Sequence, residues 1–230
     1  MNRQTDFAVF LNRFLIDYLP NKRGSSSKTI DSYRYSFIFL IEYFEQSYRI
    51  GPDKLELSDI TYEKIARYLD WLQEEKQVSV STRNQRQAAI NSFVRFLMYE
   101  RAEYLNEYQR ILTIPAKKAP QKEISYLKTD GVTALMASVD TSKTNGIRDY
   151  VILMLLYSTG IRVSELINLR VRDVSLHVPY TLLVHGKGNK SRYVPVLKDA
   201  VPIIKKYLES QSYHGGTDVN RWLFVNHMKK

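Results

Sequence analysis

The chain has 230 residues, 44% of them hydrophobic, with 9 glycines and 7 prolines; this composition excludes a disordered protein and allows one large domain or two modest ones. The absence of cysteine excludes disulfides, thiolate zinc sites and cysteine nucleophiles. The formal net charge is +10, of which +3 falls on residues 1–119 and +7 on residues 120–230, and it favours a polyanionic partner such as DNA, RNA or an anionic membrane surface. The N-terminus has no signal pattern and the longest strongly apolar run, 151–157, is too short to span a bilayer, so we expect a soluble, cytoplasmic protein.

Residues 1–112 contain four stretches with apolar side chains at helical spacing, and they predict a small helical domain. The first stretch covers 7–19 and stops at Pro20. The second begins at an N-cap, Ser27, and is broken at Gly51. The third runs from 62 to 75, and the fourth begins after Ser81 with its apolar face on Ile90, Phe93, Val94 and Leu97.

The first turns of the fourth helix are polar and basic, with Arg83, Asn84, Arg86 and Gln87 close together. A solvated helix end is one interpretation. The other is that this end faces DNA, where arginine contacts phosphate or guanine while asparagine and glutamine pair with adenine edges. We predict Arg83, Asn84 and Arg86 as DNA-contacting residues, together with Lys28 near the start of the second helix.

Residues 113–124 are predicted to form a basic linker. They contain two prolines and three lysines with few large apolar residues, a composition that builds neither a helix nor a core strand. Such a segment suits a chain that crosses a DNA backbone, and Lys117 and Lys118 are the predicted contacts. An exposed, lysine-rich loop explains the segment equally well.

Residues 125–230 predict a second, mainly helical region with a small sheet. Helices are expected at 128–139, 147–158, 163–169 and 200–210, with a short apolar element at 222–225. The β-rich stretches 181–184 and 192–196 flank a Gly-Lys-Gly-Asn turn and predict a hairpin. Gly160 suits the left-handed cap of the helix before it.

Arg162 and Glu165 follow that cap and form a candidate phosphate site. A guanidinium is always charged and can donate two parallel hydrogen bonds to a phosphate. Glu165 lies one turn later and could accept from that guanidinium or from a nearby amide, which would orient Arg162. The alternative is an ordinary surface ion pair worth under about 1 kcal/mol.

Lys187 stands at the glycine-flanked tip of the predicted hairpin. An ammonium there could protonate a departing 5′ oxygen as a general acid, although isolated Gly-Lys-Gly turns are more often plain surface turns. Lys190 and Arg192 are predicted as contacts to the DNA backbone. The Gly-x-x-x-x-Gly-Lys-Ser/Thr spacing of a phosphate-binding P-loop is absent, and the four histidines lack metal-ligand spacing, so no metal site is predicted.

Three strings resemble the tyrosine recombinases, the phage-integrase and Xer class. They are Thr-Gly-Ile-Arg-Val-Ser-Glu-Leu at 159–166, the hairpin sequence at 183–196, and Ser-Thr-Arg-Asn at 81–84 followed by an Ile-x-x-Phe-x-x-Phe run. The resemblance implies a four-helix, SAM-like DNA-binding domain at 1–112, the linker, and the N-terminal part of a mixed α+β catalytic domain of the DNA breaking-rejoining type at 125–230. It also implies that Arg162 is the first catalytic arginine and Lys187 the catalytic lysine.

The resemblance further implies a reaction on double-stranded DNA. In that family a tyrosine attacks a phosphodiester to give a 3′-phosphotyrosyl link, two arginines and a histidine stabilise the transition state, and tetramers assemble on DNA. No metal, ATP or other cofactor is required, because the covalent intermediate keeps the bond energy.

The sequence departs from the family pattern after residue 225. No His-x-x-Arg box is present, His227 is followed by Lys230 in the corresponding spacing, and none of the 17 tyrosines follows such a box. We therefore expect a truncated recombinase that binds DNA without cleaving it and is monomeric in solution, with no nucleophile assigned. The alternative is a naturally truncated, non-catalytic DNA-binding regulator of recombination.

Overall fold

The structure is a computed structural model that describes residues 4–120, 125–186, 188, 190–212 and 218–225. The chain divides into two compact units, Met1–Lys122 and Glu123–Lys230. The described residues are mostly helical and form one small antiparallel sheet, which confirms the predicted fold class. In this part of the chain no helix is long and apolar enough to cross a membrane.

The first unit is helical throughout. Its α-helices are α1 Asp6–Arg13, α2 Ser27–Tyr48, α3 Tyr62–Glu74, α4 Val80–Glu100 and α5 Leu105–Leu112. A π-helical segment, Phe14–Lys22, continues α1 without a break, and 3₁₀ turns occupy Leu57–Asp59 and Ala102–Tyr104. The N-caps of α2 and α4 are Ser26 and Ser79, whose hydroxyls accept from the amides of Thr29 and Thr82.

The N-cap of α2 is Ser26 rather than the predicted Ser27, and α4 begins at Val80 rather than after Ser81. Two larger features of this unit also differ from the sequence prediction. The first helix does not stop at Pro20, which lies inside the π-helical segment. A proline ring collides with the carbonyl four residues earlier in an α-helix, whereas the wider i→i+5 turn keeps that carbonyl away from the ring. The second difference is α5, an unpredicted amphipathic helix of 8 residues.

An aromatic core holds α2 and α4 together. The Phe14 ring is fully buried, and its centroid lies 5.2 Å from that of Phe93 on α4 and 6.1 Å from that of Phe37 on α2. Tyr18, Tyr33 and Phe96 complete the cluster around it. Aromatic pairs in such offset and edge-on arrangements stabilise a core beyond their buried area, and they fix the direction of α4, whose first turns carry the predicted DNA-contacting residues.

In its described residues the second unit contains four α-helices and the small sheet. The helices are α6 Thr129–Ala137, α7 Thr144–Thr159, α8 Val163–Leu166 and α9 Val201–Ser212. The strands are β1 Val174–Ser175, β2 Thr181–His185 and β3 Ser191–Pro195, paired antiparallel in the order β1-β2-β3. In the β2–β3 register Thr181 faces Pro195 and His185 faces Ser191, so the predicted hairpin is present.

Buried aliphatic residues on α7, α8, β2 and α9 form the core of this unit; Val151, Leu155, Leu166, Leu182 and Ile204 are each no more than 1% exposed. Helix α7 ends at Gly160, whose φ of +63° lies in the left-handed region where glycine carries no steric penalty. The turn leads through the buried Ile161 directly to Arg162, so the position of Arg162 depends on the core.

Candidate functional site

Arg162 is the N-cap residue of α8 and exposes its side chain. Its backbone N–H donates to Glu165 Oε2 at 2.9 Å, and its Nη1 donates to Glu165 Oε1 at 3.2 Å. The side chain is nevertheless 75% exposed. The backbone of Arg162 is therefore fixed, while most of its guanidinium remains available to a ligand.

Glu165 is buried, and two arginines share its carboxylate. Arg192 on β3 donates from Nη1 to Oε1 at 3.0 Å and from Nη2 to Oε2 at 2.9 Å, a bidentate pair. Hydrogen bonds from the Arg192 side chain, from the backbone N–H of Arg162 and then from its side chain lower the pKa of Glu165 from 4.5 to about 2. The carboxylate is thus ionised at neutral pH and joins α8 to the hairpin. We name the three side chains of Arg162, Glu165 and Arg192 the carboxylate bridge.

The geometry shows a contact of Arg192 within the protein that the sequence did not predict. The sequence predicted a contact to the DNA backbone, but the guanidinium donates two hydrogen bonds to a carboxylate of its own chain. No spacing rule connects positions 165 and 192, because their contact depends on how the hairpin folds back over α8. The contact predicted between Glu165 and Arg162 is present, through both the guanidinium and the amide.

Gly186, where the hairpin turn begins, lies beside the carboxylate bridge. Lys187 lies outside the described residues, but Gly186 before it is described, and its N–H donates to the carbonyl of Lys190 at 2.7 Å. A Cβ added to Gly186 would stand 3.4 Å from Glu165 Oε1 and 3.5 Å from Arg192 Nη1, so the backbone packs directly against the bridge. Lys190 is exposed.

Arg83 in the first unit is buried, which leaves its side chain little surface for the predicted DNA contact. It is 4% exposed, and its Nη1 donates to Gln87 Oε1 at 2.6 Å and to the carbonyl of Pro115 at 3.2 Å. Burial lowers the pKa of Arg83, and Asp70 opposes that effect. A guanidinium enclosed by its own chain offers no surface to a phosphate or a base edge.

Asn84 and Gln87 bind the same returning segment, residues 114–117. Asn84 Oδ1 accepts from the amide of Lys117 at 3.1 Å, and its Nδ2 donates to the Lys117 carbonyl at 2.7 Å. Gln87 Nε2 donates to the carbonyl of Ile114 at 2.6 Å. We call these contacts of Arg83, Asn84 and Gln87 with residues 114–117 the α4 clamp. The side-chain amide of Asn84, predicted to contact DNA, forms both of these hydrogen bonds with the protein backbone.

The other residues of the first unit that were predicted to contact DNA differ in how exposed their side chains are and in whether they are bonded within the protein. Lys117 Nζ donates to Gln73 Oε1 at 2.6 Å and lies 3.4 Å from Asp70 Oδ1, so its charge is paired within the unit. Arg86 is half-buried; its Nη1 donates to Ser36 Oγ at 3.2 Å, and its guanidinium lies 4.9 Å from the centroid of Phe39. Lys28 and Lys118 are exposed.

Known proteins share both units of this chain. The model of the phage integrase family matches residues 125–230, and the model of the phage integrase N-terminal SAM-like domain matches residues 11–101. Tyrosine recombinase XerD of Listeria monocytogenes is 30% identical over 217 residues, which cover 92% of this chain and 69% of that protein. Tyrosine recombinase XerC of Anoxybacillus flavithermus is 31% identical over 199 residues, which cover 86% of this chain and 63% of that protein.

A solved structure gives the same fold. The XerH site-specific recombinase, in a post-cleavage complex with a palindromic difH substrate, aligns with a TM-score of 0.68 at 19% identity and covers 100% of this chain and 69% of that one. The chain thus shares the fold of that protein. The chain belongs to the tyrosine recombinase family, as its motifs predicted. It spans 61% to 71% of the length of curated relatives such as these.

Proposed function

We propose that the protein acts in site-specific DNA recombination, and that Arg162 binds the phosphate at which a strand is cut and rejoined. One observation carries the proposal: a guanidinium that is 75% exposed is tethered to a carboxylate that is 4% exposed. The buried, ionised carboxylate binds one guanidinium nitrogen of Arg162. The remaining guanidinium donors stay free, and bidentate phosphate binding requires such free donors.

The proposed chemistry is phosphoryl transfer without a metal or a cofactor. A tyrosine phenol gives up its proton to water and its oxygen forms a bond to phosphorus. The bond to the 5′ oxygen breaks, and that oxygen takes a proton from the Lys187 ammonium, leaving a 3′-phosphotyrosyl ester. Arg162 stabilises the negative charge that grows on the non-bridging oxygens. None of the 17 tyrosines is assigned as the nucleophile.

The proposed partner is double-stranded DNA, on which the whole protein assembles as a tetramer. Residues 1–112 would supply DNA contacts, residues 113–124 a basic connection, and residues 125–230 the phosphate site. Lys28, Lys118 and Lys190 are proposed to contact the DNA backbone because all three are exposed cations. Arg86 is retained as a further candidate, since part of its side chain remains accessible beside Ser36 and Phe39.

Selection from a random duplex library tests this proposal with the 230-residue chain. We expect enrichment of a defined sequence, bound with an affinity that falls steeply with salt; six to ten phosphate contacts correspond to a loss of about 10³–10⁵-fold between 50 and 200 mM salt. A nicked duplex of the selected sequence should give no denaturant-resistant adduct with these 230 residues. Recovery of no common sequence, or an affinity indifferent to salt, would contradict DNA recombination; an adduct would contradict only the expected lack of cleavage.

A further inference from the structure

We propose that Arg192 is a positioning residue that acts through Glu165: it holds Gly186, where the hairpin turn begins, next to α8 and keeps the guanidinium of Arg162 free for phosphate. This inference rests on the proposed function, because it concerns how the phosphate site is prepared. It replaces the DNA contact predicted for Arg192 with a role inside the protein.

The hydrogen bonds divide the carboxylate unequally between the two arginines. Arg192 forms two side-chain bonds to Glu165, of 3.0 and 2.9 Å, whereas Arg162 forms one of 3.2 Å. The Arg192 side chain is 46% exposed and that of Arg162 75% exposed. Arg192 therefore satisfies most of the carboxylate, and Arg162 is left with unused donors facing outward.

The charges of the bridge also indicate that Arg192 neutralises Glu165 and leaves Arg162 available. Two guanidinium groups and one carboxylate carry a net positive charge, which attracts a phosphate. Without Arg192, Glu165 would retain Arg162 as its one side-chain cation among the described contacts, and the pair would be neutral. We expect Arg162 to turn towards the carboxylate in that case, because a buried carboxylate without a full set of donors is unfavourable.

The hairpin tip is coupled to the bridge through Gly186. Its Cα lies so close to Glu165 Oε1 and Arg192 Nη1 that an added Cβ would stand 3.4 and 3.5 Å from them. The carbonyl of Lys190 closes the tip onto the Gly186 amide at 2.7 Å. The bridge is therefore the surface on which the tip begins, one residue before the proposed general acid Lys187.

A double-mutant cycle on DNA affinity tests the functional part. Arg162→Ala and Arg192→Gln should each weaken binding of the selected duplex, by about tenfold. The double variant should lose no more than the stronger single variant, because Arg192 acts through Arg162. Additive losses would show that Arg192 contacts DNA by itself and would overturn the proposal. Lys198→Gln removes one exposed positive charge just after β3 and serves as the matched control for net charge.

The amide resonance of Gly186 tests the structural part without DNA. Among the described residues, Arg162 from α8 and Arg192 from β3 are the charged groups bonded to Glu165. With the pKa of Glu165 at about 2, the wild-type resonance should not titrate between pH 7 and 3. In Arg192→Gln it should titrate, with a midpoint displaced towards 4.5, the ordinary value. A resonance that stays constant in this variant would overturn the proposal.

Arg192→Lys gives a second variant if Arg192→Gln does not fold. It keeps the positive charge but replaces the bidentate fork with a single ammonium. We expect a midpoint and a DNA affinity between those of the wild type and Arg192→Gln; values equal to those of Arg192→Gln would contradict an ion-pair role. Arg162→Ala could bind DNA as well as the wild type while the Gly186 resonance titrates in Arg192→Gln and not in the wild type. That result would contradict the proposed function but support the structural role of Arg192.

Discussion

The α4 clamp and the carboxylate bridge contain similar side chains and use them in opposite ways. Each places an arginine near a helix start, next to an oxygen acceptor. Arg83 in the clamp is 4% exposed and donates to the carbonyl of Pro115. Arg162 in the bridge has a side chain that is 75% exposed and is bonded to Glu165 through one guanidinium nitrogen. The first arginine uses its donors within its own chain, and the second leaves most of its side chain accessible.

The two arginines differ in exposure because a different part of the chain folds back onto each helix. At α4 the chain comes back along residues 114–117, whose carbonyls and amides need partners once they leave helix α5. At α8 the β2–β3 hairpin folds back and brings Arg192, which donates two hydrogen bonds to the Glu165 carboxylate. Arg162 therefore keeps donors unused because Arg192 already satisfies most of the Glu165 carboxylate.

Replacing Arg83 gives the largest expected effect and tests the clamp. Arg83→Met should lower the free energy of unfolding of the first unit by about 1–3 kcal/mol, because Gln87 Oε1 and the Pro115 carbonyl lose a buried donor. Urea unfolding is followed by tryptophan fluorescence in a Trp222→Phe background. Trp71 is then the only tryptophan in the chain, so the signal reports on the first unit.

Arg34→Met is the matched control for that measurement. Arg34 is also on a helix, but its side chain is 58% exposed and its ion pair with Asp31 spans 3.6 Å. We expect a change within about 0.5 kcal/mol, as for surface pairs generally. An unchanged stability for Arg83→Met combined with weaker DNA binding would return Arg83 to the DNA-contacting set.

Several features that depend on neighbouring residues were predicted from the sequence, although helix α5 and the helical turn around Pro20 were not. The side-chain contacts between distant residues of the carboxylate bridge and the α4 clamp were not predicted. The hairpin, the left-handed cap at Gly160 and the contact of Arg162 with Glu165 each arise within a few residues. The bond of Arg192 to Glu165 joins residues 27 apart, and that of Asn84 to Lys117 joins residues 33 apart. A polar side chain looks the same in the sequence whether its partner is solvent, DNA or a returning backbone.

Replacing Asn84 tests the clamp more finely. Asn84→Ala removes the pair of bonds to the Lys117 backbone and should lower the free energy of unfolding by about 1 kcal/mol. Hydrogen exchange of the Lys117 amide should accelerate more than the global stability change requires, since that amide loses its direct acceptor.

Asn84→Asp separates the two bonds, because it keeps an acceptor for the Lys117 amide and places a carboxylate against the Lys117 carbonyl. Its Lys117 exchange should be slower than that of Asn84→Ala. Gln85→Ala is the matched control, since it also removes an amide side chain from α4, but one that is exposed and donates to Ser32 Oγ at 2.8 Å. This control should leave Lys117 exchange unchanged. Equal exchange in Asn84→Ala and the wild type would mean that the Asn84 side chain does not hold residues 114–117.

Replacing Arg162 should have the smallest effect on stability and thereby complete the contrast with Arg83. Arg162→Ala keeps the backbone N–H that donates to Glu165 Oε2, and Arg192 keeps both of its bonds, so the free energy of unfolding should change by less than about 0.5 kcal/mol. The slope of log affinity against log salt should fall by about 1, the loss of one phosphate contact. Arg162→Lys should retain the slope at lower affinity, because an ammonium keeps the charge without the fork. A large loss of stability with unchanged DNA binding would place Arg162 beside Arg83, as an arginine that serves the fold.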